Sequence, residues 1–326
     1  MYNTIKLEKG LYNLAGKSFT AALSEQDADE QYADTEMRGL DAFERQLKRF
    51  DIKVSGENSD TVDRFFQTTQ TAVLFPEFIK RAVKQGMESA VLNEIVAAKS
   101  TTSAVDYRGM NVVPEANKPY STATVSGTAM PETAIGLSTT LVNMVKYGRV
   151  ISTSYEAIRQ QRLDAFAVTL KSIGGQISRA VANAAIGVLK EGLTAKTIVG
   201  TTFNYAELVG FWGAFENYDL TTIIASPKTM AQILSFDQMK YSYDDYMATG
   251  IIKTPFGATL IKSSTIADDL IIGLDKKYAL EMVTSSDVIL ETDKLIDRQV
   301  DRIAISVTTG FSKIISDAVM TLDTTK

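Results

Sequence analysis

The sequence predicts an α+β protein with a charged amino-terminal arm, a long protruding ribbon and one long helix. Three observations predict it. An apolar stripe at 3/4 spacing runs from about Tyr155 to Glu191, residues 100–132 hold few large apolar side chains, and short strand-like runs alternate with turn chemistry from Thr194 onward. At 326 residues the chain has room for about two domains. Its 45 % hydrophobic content is enough for a sizeable core.

Taken in order, residues 1–23 are weakly patterned and residues 24–63 are acidic. Within the acidic stretch, Leu40, Phe43, Leu47 and Phe50 predict an amphipathic helix over roughly Asp34 to Phe50, with Arg45, Lys48 and Arg49 favouring its C-terminal dipole. Val73-Leu74-Phe75-Pro76 reads as a lead-in to a helix through Phe78, Ile79, Val83 and Met87. Residues 100–132 are rich in Ser, Thr, Val, Ala and Gly, and the alternation over 121–126 suits an extended hairpin. Residues 137–152 are strand-like. The long helix follows, with Gly192 as its stop and Gly174-Gly175 marking a bend or a close backbone approach. Thr221–Ala225 predicts a buried strand, and Ser226-Pro227 predicts a capped helix start. Further strands are expected at Ala258–Lys262, Leu270–Leu274, Tyr278–Val283, Asp301–Val307 and Ala318–Leu322.

Composition excludes much chemistry. With no cysteine and no histidine, there are no disulfides, thiol nucleophiles, Cys/His metal sites or imidazole bases. A net charge of −5 gives no global attraction for nucleic-acid phosphate. No apolar run reaches 18 residues and the first residues lack a signal-peptide pattern, so a soluble protein of the cytoplasm, or of something assembled there, is expected. Gly16-Lys17-Ser18 lacks the spaced glycine and the strand-to-helix context of a phosphate loop and is rejected. The acidic pairs Asp244-Asp245 and Asp268-Asp269 read as solvated turns, because adjacent side chains diverge. Asp293, Asp297 and Asp301 alternate with Lys294, Arg298 and Arg302 and read as ion-pairing charge. No catalytic residue, metal ligand or cofactor site is expected. Tyr241, Tyr243 and Tyr246, interleaved with acids, suit a subunit contact better than a nucleic-acid platform. Extensions that cannot bury themselves point to assembly.

Several stretches, in this order, resemble the major capsid proteins of tailed bacteriophages with the Hong Kong 97 fold. They are Gly39–Leu47, Val73–Phe78, residues 101–132, Arg149–Ile158, Ile223–Lys228, Thr254–Ala258 and Ile271–Leu274. The resemblance implies an N-terminal arm over 1–72, a peripheral domain beginning at 73–100 and an extended loop at 101–132. It further implies a peripheral spine helix within 133–192, an axial domain at 193–293 and a peripheral return at 294–326. It implies a structural, non-enzymatic protein that self-assembles as hexamers and pentamers into an icosahedral head around double-stranded DNA. Portal and decoration proteins would be its partners. Subunit contacts are expected from Leu40, Phe43, Leu47, Phe50, Tyr107, Arg108, Lys118, Tyr120, Tyr241, Tyr243 and Tyr246.

Two departures stand out. Some members cross-link a loop lysine to a late asparagine. Here Lys118 is the only lysine between Thr101 and Glu132 and no asparagine follows Asn217, so no such cross-link is expected. The leading segment is also shorter than a fused scaffolding domain, so either a separate scaffolding protein or the acidic arm guides assembly. Two alternatives stay open: an encapsulin-type nanocompartment shell sharing the fold and, from a different class, a histidine-free carboxylate hydrolase.

Overall fold

A computed structural model describes the chain apart from residues 1–4, 13, 15, 89, 105, 115–125, 128–129, 131, 243–245, 248–249, 286, 296, 298–299 and 326. In chain order the elements are α1 (Phe19–Gln26), α2 (Ala42–Arg49), α3 (Thr69–Met87), α4 (Ala90–Ile95), β1 (Ala98–Thr101), β2 (Met110–Pro114), β3 (Thr133–Leu137) and β4 (Val145–Ser154). There follow α5 (Tyr155–Arg159), α6 (Leu163–Lys190), β5 (Lys196–Thr197), α7 (Tyr205–Gly213), β6 (Thr222–Ala225), α8 (Pro227–Leu234), β7 (Thr259–Lys262), β8 (Leu270–Leu274), β9 (Leu280–Thr284), β10 (Ile289–Leu295), β11 (Val300–Lys313) and β12 (Val319–Asp323). Two units form, each from three separate stretches. Unit one comprises Met1–Glu88, Gly148–Ser178 and Val288–Ser306; unit two comprises Ser89–Tyr147, Arg179–Asp287 and Val307–Lys326. No helix among the described residues is long and apolar enough to cross a membrane.

In unit one, Gly16 turns at φ +73° and the Ser18 hydroxyl caps α1 by accepting the Ala21 N–H at 3.2 Å, so Gly16-Lys17-Ser18 is a turn and a helix cap. The helix expected over Asp34–Phe50 is shorter. Asp41 and Glu44 form a reciprocal capping box that fixes its start at Ala42, and Gly39 at φ +82° separates it from the turn before. Within 1–72, several described apolar side chains are covered. Leu11, Phe19, Leu23, Phe43, Leu47, Val62 and Phe65 are buried, spread over several short turns whose mixed periods hide them from a single helical or strand pattern.

A Thr68–Thr71 capping box starts α3 at Thr69, so the lead-in Val73–Pro76 is helical and Pro76 lies inside the helix. Proline removes a ladder bond. Packing offsets the loss: Phe65 meets Phe75 and Phe78 with ring centroids 5.5 Å apart in each case, and Phe66 meets Phe75 at 5.0 Å.

The helix expected to run unbroken from Tyr155 is interrupted between α5 and α6. The Val62 N–H donates to the Gln161 carbonyl at 2.9 Å and the Leu163 N–H donates to the Asp60 carbonyl at 2.8 Å. Tertiary partners thus take backbone groups the helix would use. Gly174 answers to a close approach. A Cβ there would lie 3.0 Å from both the Gly86 carbonyl carbon and the Met87 nitrogen of α3, and closer still to the Val83 carbonyl oxygen. Gly86 is its reciprocal, since a Cβ on it would strike the Lys171 backbone. β10 pairs antiparallel with the first half of β11, in a register that sets Asp293 opposite Arg302 and Lys294 opposite Asp301.

Unit two holds a five-stranded sheet in the order β5-β12-β8-β6-β7. β6 is parallel to β7 and antiparallel to β8. As expected, Ser226 caps α8 through the Thr229 N–H at 3.2 Å with Pro227 in its first turn, and Gly192 at φ +70° follows α6. The core gathers Leu208, Phe211, Ile223, Met230, Ile233, Leu260 and Ile271. β1 lies parallel to β9, which pairs antiparallel with the last residues of β11.

Candidate functional site

β2 and β3 form an antiparallel ribbon from Met110↔Leu137 to Pro114↔Thr133, so the predicted extension continues past residue 132. Among the described side chains of the ribbon, Met130 is 82 % exposed, Ile135 and Leu137 are each 70 % exposed, and Met110 is 57 % exposed. The base of the ribbon is held firmly. The Tyr107 and Ser100 hydroxyls both donate to Glu281 Oε1, at 2.6 and 2.5 Å. That bond to Glu281, then burial, pushes the Tyr107 hydroxyl up. Arg108 donates to the carbonyls of Ser138 and Thr139 at 3.3 and 2.7 Å. Gly109 is needed because a Cβ would collide with the Ser312 side chain. Two contact candidates, Tyr107 and Arg108, therefore serve the root of the ribbon, while Lys118 and Tyr120 lie outside the described residues.

The α2 stripe has a different fate. Phe43 and Leu47 are interior to unit one, and Leu40 and Phe50 are half-buried. Sequence reasoning gave Arg45 only a dipole role, yet among the described residues it is the largest fully buried side chain. Its Nε donates to Asp27 Oδ2 at 3.0 Å, its Nη1 lies 2.8 Å from Asp29, and its guanidinium sits 4.5 Å from the Tyr32 ring centre. Arg49 adds a bond to Asp27 Oδ1 at 3.1 Å, and the Tyr32 hydroxyl another at 2.6 Å. Burial alone would raise the Asp27 carboxyl. The Tyr32 hydroxyl, Arg45 and Arg49 together outweigh it and hold the group below the usual carboxylate range. Helical spacing puts Arg45 on the face opposite the Leu40–Phe43–Leu47 stripe, so the only sequence signal was the acidic run, with Asp27 and Asp29, that precedes the helix.

In unit two, Tyr246 is exposed beside exposed Met247, and Trp212 stands half out of the surface with its ring 5.9 Å from Phe256. The Tyr241 side chain and all of Tyr243 lie outside the described residues. Sequence reasoning missed Trp212 because α7 went unrecognised. Among the described residues, no three acidic side chains gather as metal ligands. Unit one has an open cavity of about 440 Å³ lined by Phe66, Phe75, Pro76, Lys9 and Arg302, among others.

Unit two thus carries an uncovered apolar ribbon on a hydrogen-bonded root, while unit one is built round a buried charge cluster. Comparison with known proteins is in keeping with this. A family model described as phage capsid protein matches residues 136–317. No curated protein sequence matches the chain. Among solved structures, the virus-like particle from Pyrococcus furiosus is similar at 12 % identity and TM-score 0.51, covering 76 % of this chain and 98 % of that one. The capsid of an empty GTA particle is similar at 14 % identity and TM-score 0.53, covering 73 % and 91 %. That of the native GTA particle is similar at 11 % identity and TM-score 0.53, covering the same shares.

Proposed function

The chain belongs to the phage capsid protein family and is a structural, self-assembling major capsid protein of the Hong Kong 97 type; on that premise we propose that its copies gather as hexamers and pentamers into the icosahedral head of a tailed phage. The observation that carries this reading is the β2–β3 ribbon, whose Met110, Ile135 and Leu137 lack cover within the chain. Apolar groups presented on a rigidly rooted extension gain most when a neighbouring copy removes them from water. The GTA capsid, computed with C5 symmetry, supports the fivefold half of the proposal.

The protein acts by assembling rather than by catalysis. Its net charge of −5 suits a shell that encloses double-stranded DNA without gripping it, since tight phosphate contacts would hinder packaging and release. Assembly in the host cytoplasm, a separate scaffolding protein, a portal and decoration proteins complete the reading. The shell carries no Lys118–Asn cross-link.

Electron microscopy of the purified protein after a sizing column tests it. Closed shells with hexameric and pentameric rings are expected, and shell diameter together with neighbouring genes separates a phage head from an enzyme-filled nanocompartment. A monomer that never assembles, even with a candidate scaffold, overturns the proposal.

A further inference from the structure

Pro76, inside α3, brings no N–H, so the Ala72 carbonyl receives no ladder bond from it. One residue on, the Val73 carbonyl and the Glu77 N–H are the next pair the ladder joins. Both bond the same side chain from the amino-terminal segment. The Glu77 N–H donates to the Tyr12 hydroxyl at 3.1 Å, and that hydroxyl donates to the Val73 carbonyl at 2.8 Å. The Tyr12 ring is stacked on Phe19 of α1, with centroids 4.3 Å apart and planes 12° from parallel. Burial, then the Glu77 carboxylate, push the hydroxyl far up, so it keeps the proton it donates.

The same turn of α3 gathers other amino-terminal groups. The buried Glu77 carboxylate accepts the Thr20 hydroxyl at 2.7 Å and Arg81 Nε at 3.1 Å, and Arg81 reaches Asp41 at 2.5 Å. Farther along α3, Gly86 forms the backbone-to-backbone crossing with Gly174. A side chain inserted into a helix ladder is a recognised cause of helix bending.

We propose that Tyr12 is a removable wedge through which the amino-terminal segment sets the conformation of α3. Docked, its hydroxyl bridges Val73 and Glu77. Withdrawn, those groups bond each other, the turn closes, and the crossing at Gly86 and Gly174 shifts with it. The inference stands on contacts within unit one and needs no assumption about the shell.

Amide hydrogen exchange on the full chain, with peptides covering 5–26 and 69–87, tests the wedge. Tyr12→Phe keeps the ring and removes the bridge; exchange of 5–26 is expected to rise about tenfold, the factor that matches the net worth of one or two hydrogen bonds, while 69–87 keeps its protection. Pro76→Ala is the sharper variant. It supplies the missing N–H and strengthens the helix, yet it is expected to close the turn and loosen residues 5–26 by a similar factor. The double variant should be no looser than either single one. Native exchange of 5–26 in folded Pro76→Ala overturns the proposal. So does loss of protection in 69–87 on Tyr12→Phe, because the helix then has no closed alternative. If Pro76→Ala does not fold, judged by circular dichroism, the two Tyr12→Phe readouts decide alone.

Discussion

A single methyl group placed at two points of α6 should act in opposite directions. In a helix interior, Gly→Ala ordinarily stabilises by about 1 kcal/mol, because alanine has less backbone freedom to lose. At Gly187 a Cβ meets nothing within 4 Å, so Gly187→Ala should show that gain. At Gly174 the three atoms nearest the Cβ are all backbone atoms of α3, at 3.0 Å or closer. Backbone cannot rotate away as a side chain can, so the two helices must separate. Overpacking typically costs 1–3 kcal/mol, and with rigid neighbours the upper end applies; less the propensity gain, Gly174→Ala should destabilise by about 2 kcal/mol. The pair is best compared by urea unfolding of the unassembled chain, which keeps subunit association out of the measured stability. The midpoint should rise for Gly187→Ala and fall for Gly174→Ala, with slopes unchanged. A Gly174→Ala chain as stable as its parent would mean that α3 and α6 are not locked at this crossing.

Other perturbations have equally definite outcomes. Arg45→Ala leaves Asp27 buried without its main partner and should cost about 3–5 kcal/mol in chemical denaturation, the usual range for a broken buried pair. Because the Asp27 carboxyl is held below its ordinary value, the stability it lends is complete above the ordinary carboxylate range. That stability is lost as pH falls through the depressed value; Asp27→Asn should remove this acid-side slope from the stability–pH curve. Ile135→Asp, on an exposed ribbon position, should change the stability of the isolated chain by no more than about 0.5 kcal/mol, yet abolish shells in electron micrographs. Mass spectrometry of shells dissolved in denaturant should find only uncross-linked chains; a Lys118-linked oligomer refutes that expectation.

Local chemistry was legible wherever one residue type has one job. Ser226-Pro227 announced the start of α8, and Gly192 its left-handed turn. The ribbon was legible as a poverty of core residues. What escaped notice depended on contacts distant in sequence. Pro76 reads as a helix breaker until the packing of Phe75 and Phe78 on Phe65 is known. The break at 160–162 exists because Asp60 and Val62 supply backbone partners about a hundred residues away. Arg45 looked like a surface charge, since only the fold brings Asp27 and Tyr32 around it. The α2 stripe was read as a contact for another copy, but Phe43 and Leu47 are consumed by their own unit.

Unit one draws its third stretch from Val288–Ser306, and unit two draws its own from Val307–Lys326. Neither unit therefore has all its parts until the ribosome has passed residue 288. A nascent chain stalled or cut short before residue 288 owns neither finished body. Completion of both units is thereby tied to synthesis of the same stretch of chain, residues 288–326.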